Sequence, residues 1–199
     1  MSGERTTATA SGQADAGREG KLEKKLRRAE RSVKDYQFFL LRLGAFLIAL
    51  WLLFFVFLGV THMNGGDMYP RLDTGDLVVF YRLDKDVRAQ DIIVLEKELP
   101  DGQGTQRFVS RVVAVAGDTV EITDNEQLVV NGNTLAESKI FYPTPRYEGY
   151  TEYPLTLKDG ECFVLADHRV GGTDSRFFGP VTRGEIEGTV IAVLRRNNL

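Results

Sequence analysis

Apolar residues form one long uninterrupted block and then a series of short runs. Residues 43–60 carry no charge, and residues 38–41 extend this block beyond Arg42. At about 1.5 Å per residue, a helix of this length can span a hydrocarbon core of about 30 Å. The block is longer and bulkier than the apolar core of a cleavable signal peptide, and a long tail precedes it. We therefore predict a transmembrane helix over 38–60.

Two polar segments precede the apolar block. Residues 1–20 are rich in Ser, Thr, Ala and Gly and show no apolar period, so we predict a disordered tail. Residues 21–37 are rich in Lys and Arg, with apolar residues at helical spacing at Leu22, Leu26, Ala29 and Val33. This pattern predicts a basic juxtamembrane helix at the membrane surface. A solvated charged helix without lipid contact is the alternative.

Charge is distributed unevenly along the chain. Residues 1–42 have a net charge of +4 and residues 61–199 a net charge of −7. The positive flank predicts a cytoplasmic N-terminus and an extracytoplasmic domain over 61–199, at the cell membrane. An acidic domain argues against nucleic-acid binding. The single cysteine excludes an intrachain disulfide, and His62 and His168 are isolated, so we expect no metal site and no cofactor.

Short apolar runs separated by Gly, Asp and Asn follow residue 61 and are typical of strands. They lie at residues 77–82, 92–95, 108–116, 119–123, 127–130, 162–165 and 188–194, with an Asn131-Gly132 turn after the fifth. Prolines interrupt residues 142–150, which predicts a surface loop. Because no long helix follows the apolar block, the pattern predicts a mainly β, barrel-like domain.

A glycine-rich turn lies between the apolar block and the first predicted strand. Gly65 and Gly66 permit positive φ values, and Pro70 fixes its own φ. Such a turn presents one side chain to a cleft, and here that side chain is Asp67. The alternative is an ordinary turn near the membrane with a solvated Asp67.

Four sequence blocks occur in order behind the apolar segment. They are Gly66-Asp67-Met68-Tyr69-Pro70 with Gly75-Asp76 behind it, Asp91-Ile92-Ile93-Val94, Ser110-Arg111-Val112 through to Gly117-Asp118, and Asp167-His168-Arg169 with Asp174-Ser175-Arg176. This order resembles the type I signal peptidases, membrane-anchored Ser/Lys peptidases that remove signal peptides from exported proteins. The resemblance implies a signal-peptidase-like β-barrel or coiled β-sheet domain over 61–199.

The departures from this family lie where its chemistry takes place. The resemblance puts Asp67 at the position of the nucleophilic serine and Ser110 at the position of the lysine base. Gly172 takes the place of a further serine that hydrogen-bonds the lysine. A Ser/Lys peptidase needs a hydroxyl and a neutral amine. The resemblance therefore implies no confident catalytic residue and a member without the family's dyad.

Two rearranged catalytic sites remain as alternatives. Ser110 could attack with Asp67 as the base, although a carboxylate with a pKa of about 4 is a poor base for a hydroxyl. Asp67 could instead share a proton with Asp174, as in aspartic catalysis. In the family the matching Asp pairs with the arginine two positions later, here Arg176, so the resemblance implies a scaffold role for this pair. Arg111 is either solvated or paired with a nearby acid.

The resemblance implies a cleft that holds an extended polypeptide between strands, and strand addition does not need the nucleophile. The expected cleft residues are Gly65, Gly66, Asp67, Met68, Pro70 and Ser110. Asp67 would favour a lysine side chain, which suits a signal peptide or a pilin-like segment. Dyad-lacking relatives serve pilus assembly in Gram-positive bacteria, which implies an assembly factor in contact with the lipid bilayer. Alternatives are an active peptidase with a rearranged site, an anchor for another envelope protein, and a cleft whose Asp67 and Ser110 have no function.

Overall fold

The computed structural model of the chain describes residues 5–137, 140 and 142–195, excluding the side chains of residues 5–23, 26, 29 and 30. Its elements are a long helix, α1, eleven strands and a one-turn helix, α2, within those described ranges. The chain divides into two compact units, Met1–Leu52 and Leu53–Leu199. The described residues of the first unit are helical, and the second unit contains all the described strands.

Helix α1 covers Arg5–Phe57. Its portion Arg31–Phe57 is long and apolar enough to cross a membrane by length and composition. The helix begins inside the stretch for which the sequence predicts a disordered tail, and residues 1–4 lie outside the described residues. The first proline of the chain is Pro70, so no proline interrupts this segment. The predicted basic helix over 21–37 is part of the same helix.

The predicted end of the apolar helix at residue 60 is wrong by three residues. The helix ends at Phe57, and strand β1 begins at Leu58 and runs to His62. All five residues of β1 pair in antiparallel register with β2, from Leu58 opposite Tyr81 to His62 opposite Leu77. Gly59 lies against the ring of Phe80, so only a residue without a Cβ fits there. Pairing with a neighbouring strand therefore outweighs the helical pattern of this apolar segment.

Seven antiparallel strands form the main sheet, in the order β1-β2-β11-β3-β4-β9-β10. Their bounds are β1 Leu58–His62, β2 Leu77–Tyr81, β3 Ile92–Glu98, β4 Thr105–Val115, β9 Glu161–Leu165, β10 Val181–Thr182 and β11 Ile186–Leu194. Helix α2, Ser175–Phe178, lies between β9 and β10 in the chain. The terminal strands of this order, β1 and β10, are far apart in the chain.

Four short strands form a second antiparallel sheet, in the order β7-β6-β5-β8. Their bounds are β5 Thr119–Ile122, β6 Leu128–Val130, β7 Asn133–Thr134 and β8 Leu155–Thr156. Asn131 and Gly132, both with positive φ, make the turn between β6 and β7. The prediction of a mainly β domain is thus confirmed. Its two antiparallel sheets follow one N-terminal apolar helix in the chain.

Three clusters of buried apolar side chains form the core. One packs around Ile93, Leu95 and Val112 and includes Cys162, which is 2% exposed. Burial raises the pKa of the Cys162 thiol to about 12, so it stays protonated and unreactive, as expected of a buried apolar cysteine. The other two clusters lie around Phe163 and around Met68.

Two strand edges in the main sheet lack a neighbour over part of their length. Strand β4 pairs with β3 along residues 105–111. On its other side, β9 pairs only with residues 111–115 of β4, so no strand among the described residues pairs there with the first half of β4. Strand β1 pairs with β2 and ends the described strand order. These two edges define the region where the candidate site lies.

Candidate functional site

A groove of about 420 Å³ lies between the end of β1 and the first half of β4. It is lined by residues 61–64, Asp67, residues 106–109 and Thr173. Both strand segments are the unpaired edges described above. Unpaired edges present backbone N–H and C=O groups that an extended peptide can pair with. The groove can therefore accept an extended peptide as an added strand.

The turn that carries Asp67 is anchored on both sides by backbone hydrogen bonds and by the core. The Met63 N–H donates to the Asp76 carbonyl at 2.8 Å, and the Gly75 N–H donates to the Met63 carbonyl at 2.9 Å. Met68 and Leu72 are fully buried beneath the turn. With Met68 fixed in the core, the adjacent Asp67 is held at the groove wall.

The structure places the predicted cleft residues in three different environments. Asp67 lines the groove. Gly65, Gly66 and Pro70 are exposed parts of the turn beside it. Met68 and Ser110 are buried, at 0% and 1% exposure. Of the six predicted residues, only Asp67 thus belongs to the groove wall, because Met68 and Ser110 serve the core.

The Asp67 side chain is half-buried, and its surroundings shift the pKa of its carboxyl. Its backbone carbonyl accepts a hydrogen bond from the His168 N–H at 2.8 Å. Burial raises the pKa of its carboxyl above the ordinary 3.8, the charge of Asp174 raises it further, and His168 opposes the shift. A carboxylate in such a position gains from a cation that binds beside it.

Ser110 lies in the middle of β4, opposite Ile93 of β3. Its Oγ is buried and has no hydrogen-bond partner among the described residues. A nucleophile must reach the substrate carbonyl, and a proton acceptor must be within hydrogen-bond reach. The Ser110 hydroxyl meets neither condition in this structure.

Asp174 and Arg176 form an ion pair with 0% exposure for both side chains. Arg176 donates from Nε to Oδ1 at 2.8 Å and from Nη2 to Oδ2 at 2.7 Å. Oδ2 also accepts from the Ala166 N–H, and Oδ1 accepts from the Arg176 N–H as the N-cap of α2. Both oxygens of Asp174 are therefore committed to the scaffold, and the predicted pairing with Arg176 is confirmed.

Two further buried ion pairs hold the same loop. Arg111 is paired and not solvated, because its Nε and Nη2 donate to both oxygens of Asp167, at 2.7 and 2.6 Å. Arg169 has 0% exposure and donates to the Glu137 carboxylate at 2.7 Å. The sequence signal for the first pair is an arginine, Arg111, inside an apolar strand block, and the sequence does not say which acid it meets.

Gly172 is packed so closely that a side chain has no room. A Cβ at this position would lie 2.4 Å from the Cβ of Ala166 and 2.8 Å from the carbonyl oxygen of His168. The Gly172 carbonyl accepts a hydrogen bond from the Tyr147 hydroxyl at 2.9 Å. The backbone here is thus fixed from two sides, and the position requires glycine.

The remaining groove residues were not expected from the sequence. Arg107 pairs with Glu187 and, at 2.9 Å, with Glu96, and the hydrogen bond to Glu187 is the main reason why the pKa of Arg107 is raised. Gln106 and Thr173 line the groove and also a second pocket of about 370 Å³. Gln106 and Thr173 belong to no sequence motif. Whether they line a groove depends on where the neighbouring strands pair. Among the described residues, no group of three or more His, Cys, Asp or Glu could hold a metal ion.

The chain matches a known protein family. The family model described as "Signal peptidase, peptidase S26" matches residues 36–195, which include both edges of the groove and the loop with the buried ion pairs. The chain belongs to the signal peptidase family S26.

Individual members of the signal peptidase family match over most of their length. Signal peptidase I of Bacillus caldolyticus is 30% identical over 141 residues, which cover 64% of this chain and 74% of that protein. Probable signal peptidase I-1 of Synechocystis is 32% identical over 151 residues, covering 72% of this chain and 74% of that protein. A crystal structure of a signal peptidase I from Enterococcus faecalis V583 covers 53% of this chain and 97% of that chain, at 30% identity and a TM-score of 0.40.

Proposed function

We propose that this signal peptidase homologue binds an exported polypeptide in the groove and does not cleave it. The observation that carries the proposal is the groove between the two unpaired strand edges, with the Asp67 carboxylate in its wall. Binding by strand addition uses backbone groups on these edges. Asp67 adds a negative charge that favours a cationic side chain of the bound segment.

Three features of the described residues support the loss of the family's reaction. Asp67 takes the place that the resemblance gives to the serine nucleophile. The Ser110 Oγ is inaccessible, so it can act neither as nucleophile nor as proton acceptor. A serine at position 172 would collide with Ala166. In this proposal the protein retains a groove for a polypeptide and lacks the Ser/Lys peptidase reaction of the family.

The aspartic alternative has little support. A pair of aspartates that share a proton needs two carboxyl groups with free oxygens. Both oxygens of Asp174 accept hydrogen bonds from Arg176, at 2.8 and 2.7 Å. Asp174 is consequently not available to share a proton with Asp67.

For the cellular setting, we propose a single-pass cell-membrane protein. The exposed apolar stretch Arg31–Phe57 has the length of a membrane span. The positive N-terminal flank favours a cytoplasmic N-terminus and an extracytoplasmic domain over 61–199. In that location the groove would meet polypeptides as they leave the membrane.

The proposed partner is an exported polypeptide, either a signal peptide or a pilin-like segment that presents a lysine to Asp67. Such a protein would serve as a chaperone or an assembly factor, and pilus assembly is one setting that fits a lysine-bearing substrate. The negative charge of Asp67 and the unpaired edges support this choice. An anchor for another envelope protein would not need a charged groove.

An active peptidase with a rearranged site is the second candidate, and one observation favours it. Thr173 lines the groove together with Asp67, so a residue with a hydroxyl and a residue with a carboxyl share that wall. A carboxyl with a raised pKa is a better proton acceptor than an ordinary one. In this version the attacking hydroxyl would be that of Thr173, because Ser110 is buried.

A cleavage and binding assay on the full chain in detergent micelles separates the two candidates. The substrate is a precursor protein with a signal peptide, and the products are followed by mass spectrometry. We expect no product beyond the buffer control, and we expect binding of the signal peptide that weakens in Asp67→Arg. Asp159→Arg makes the same charge change at an exposed position outside the groove and should bind normally. Time-dependent cleavage that is lost in Asp67→Ala and Thr173→Val would establish the peptidase.

Restoring the family's dyad tests the proposed correspondence of positions. The change is Asp67→Ser together with Ser110→Lys, without a change at Gly172. If the scaffold is that of an active member, the double variant should gain measurable precursor cleavage, since a buried lysine has a lowered pKa and can accept a proton. A folded double variant without any cleavage would contradict the assignment of these two positions.

A further inference from the structure

The second pocket adjoins the groove. It has a volume of about 370 Å³ and shares Gln106 and Thr173 with the groove. Gln106 lies on the unpaired edge of β4, along which a bound strand would run. A polypeptide that pairs with this edge therefore passes from the groove to the second pocket without leaving the strand.

The walls of the second pocket are aromatic and fixed in place. The Tyr147 ring is covered by the Arg176 guanidinium, 4.3 Å from the ring centroid, and its hydroxyl donates to the Gly172 carbonyl at 2.9 Å. The Phe177 ring packs against the Tyr150 ring, with 4.3 Å between their centroids. Such walls suit the methylene stem of a long side chain.

The charge of the pocket comes from one residue. Asp101 is the only carboxylate among the lining residues, and none of them is Lys or Arg. Its Oδ1 accepts from the Gln103 N–H at 3.1 Å, and its Oδ2 accepts from the Gln103 Nε2 at 2.8 Å. Each oxygen keeps a lone pair for another donor. None of the described Lys or Arg side chains forms an ion pair with Asp101.

The turn that carries Asp101 has a defined shape. The Leu99 N–H donates to the Gly104 carbonyl at 3.0 Å, which closes the connection between β3 and β4. Leu99 is buried at 6% exposure and lines the pocket. The exposed Asp101 carboxylate is thus oriented by its turn, and Leu99 and two aromatic residues line the same pocket.

We propose that the second pocket is a subsite for a Lys or Arg side chain of the polypeptide that the groove binds. The stem would lie between Leu99 and Phe177, and the charged group would reach Asp101. This inference rests on the proposed function and adds a second position of cation preference, separate from Asp67. The partner is therefore a segment with two basic side chains on the strand that runs along β4.

The test uses the full chain in detergent micelles and a set of fluorescent peptides of about ten residues, long enough to span both cavities at about 3.3 Å per residue. Each peptide has an Ala and Ser background with one Lys, Arg, Glu or norleucine at one position. We expect two positions at which Lys or Arg strengthens binding over norleucine. Asp101→Asn should lower the preference at one of them by about three- to fivefold, the effect of losing one partly exposed ion pair.

The controls separate the inference from the proposed function. Asp67→Asn should reduce the preference at the other position only, and Asp159→Asn should leave both positions unchanged. If the wild type shows one basic position that depends on Asp67 alone, the second subsite is wrong and the groove proposal stands. If no peptide binds the wild type at all, both proposals are wrong.

Discussion

The N–H of His168 donates a hydrogen bond to the carbonyl oxygen of Asp67 at 2.8 Å. This bond joins the turn after β1 to the loop that contains the buried ion pairs. Because that loop is held by Arg111–Asp167 and Arg176–Asp174, the position of Asp67 depends on groups that do not themselves line the groove. The groove wall is thus preorganised, which would lower the entropy lost on binding of the proposed polypeptide.

Removing the Ser110 hydroxyl should stabilise the protein. A buried hydroxyl without a partner is unfavourable, so Ser110→Ala is expected to raise the free energy of unfolding by about 1 kcal/mol. Ser175 is the matched control, since its buried Oγ accepts from the Val164 N–H at 3.0 Å. Ser175→Ala leaves that N–H unpaired and should lower stability by about 1–3 kcal/mol. Urea unfolding of the two variants measures both values, and destabilisation by Ser110→Ala would show that its Oγ has a partner.

Breaking one buried ion pair should cost far more than breaking an exposed one. Asp174→Asn leaves Arg176 without its charged partner at 0% exposure, so we expect a loss of about 3–5 kcal/mol. Asp86 pairs with Arg183 at the surface, and Asp86→Asn should change stability by about 0–1 kcal/mol. Thermal unfolding of both variants in one buffer checks this difference. Similar losses for the two variants would contradict the burial of the Asp174 pair.

The raised pKa of Asp67 predicts a specific pH dependence. The folded protein holds this proton more tightly than the unfolded chain, so its contribution to stability is present below the ordinary pKa of 3.8 and is lost as pH rises through the folded-state pKa. Relative to wild type, Asp67→Asn should therefore gain melting temperature as pH rises through this window. Binding of a lysine peptide by wild type should increase over the same window. A constant difference in melting temperature across the window would mean that the pKa is not raised.

A small side chain at position 172 should be harmful. Gly172→Ala places its Cβ 2.4 Å from the Cβ of Ala166, and the resulting strain should cost about 1–3 kcal/mol. Gly184 is the control, because a Cβ there meets no atom closer than 4.0 Å. Gly184→Ala should stay within about 0.5 kcal/mol of wild type. Equal melting temperatures of the two variants would show that the segment around residue 172 can rearrange to admit a serine.

The strands were predictable where short apolar runs are bounded by turn residues. Residues 77–82 and 119–123 correspond to β2 and β5, and each run begins directly after an aspartate, Asp76 or Asp118. Strand β1 could not be predicted, because its first three residues, 58–60, continue the apolar block and only pairing with β2 makes them part of a strand. The two-residue strands, such as β10, carry too few residues for any pattern.

The site was predictable in part. The sequence indicated Asp67 as the residue presented to a cleft and the pairing of Asp174 with Arg176. It did not indicate Gln106 or Thr173, because their place in the groove follows from where β9 stops pairing with β4. Ser110 was expected in the cleft, but its backbone position in β4 directs it into the buried layer. The face of the sheet to which a strand side chain points depends on the pairing register of that strand. A sequence motif does not specify this register.

The single cysteine, Cys162, can be used to measure local opening of the folded core. Cys162 is 2% exposed in the core beside β10, and the raised pKa of its thiol suppresses reaction with alkylating reagents in the folded state. Modification therefore requires local opening around Cys162, so the labelling rate reports how readily this part of the core opens. Mass spectrometry of the full chain, without any engineered probe, can follow that rate as a ligand is added.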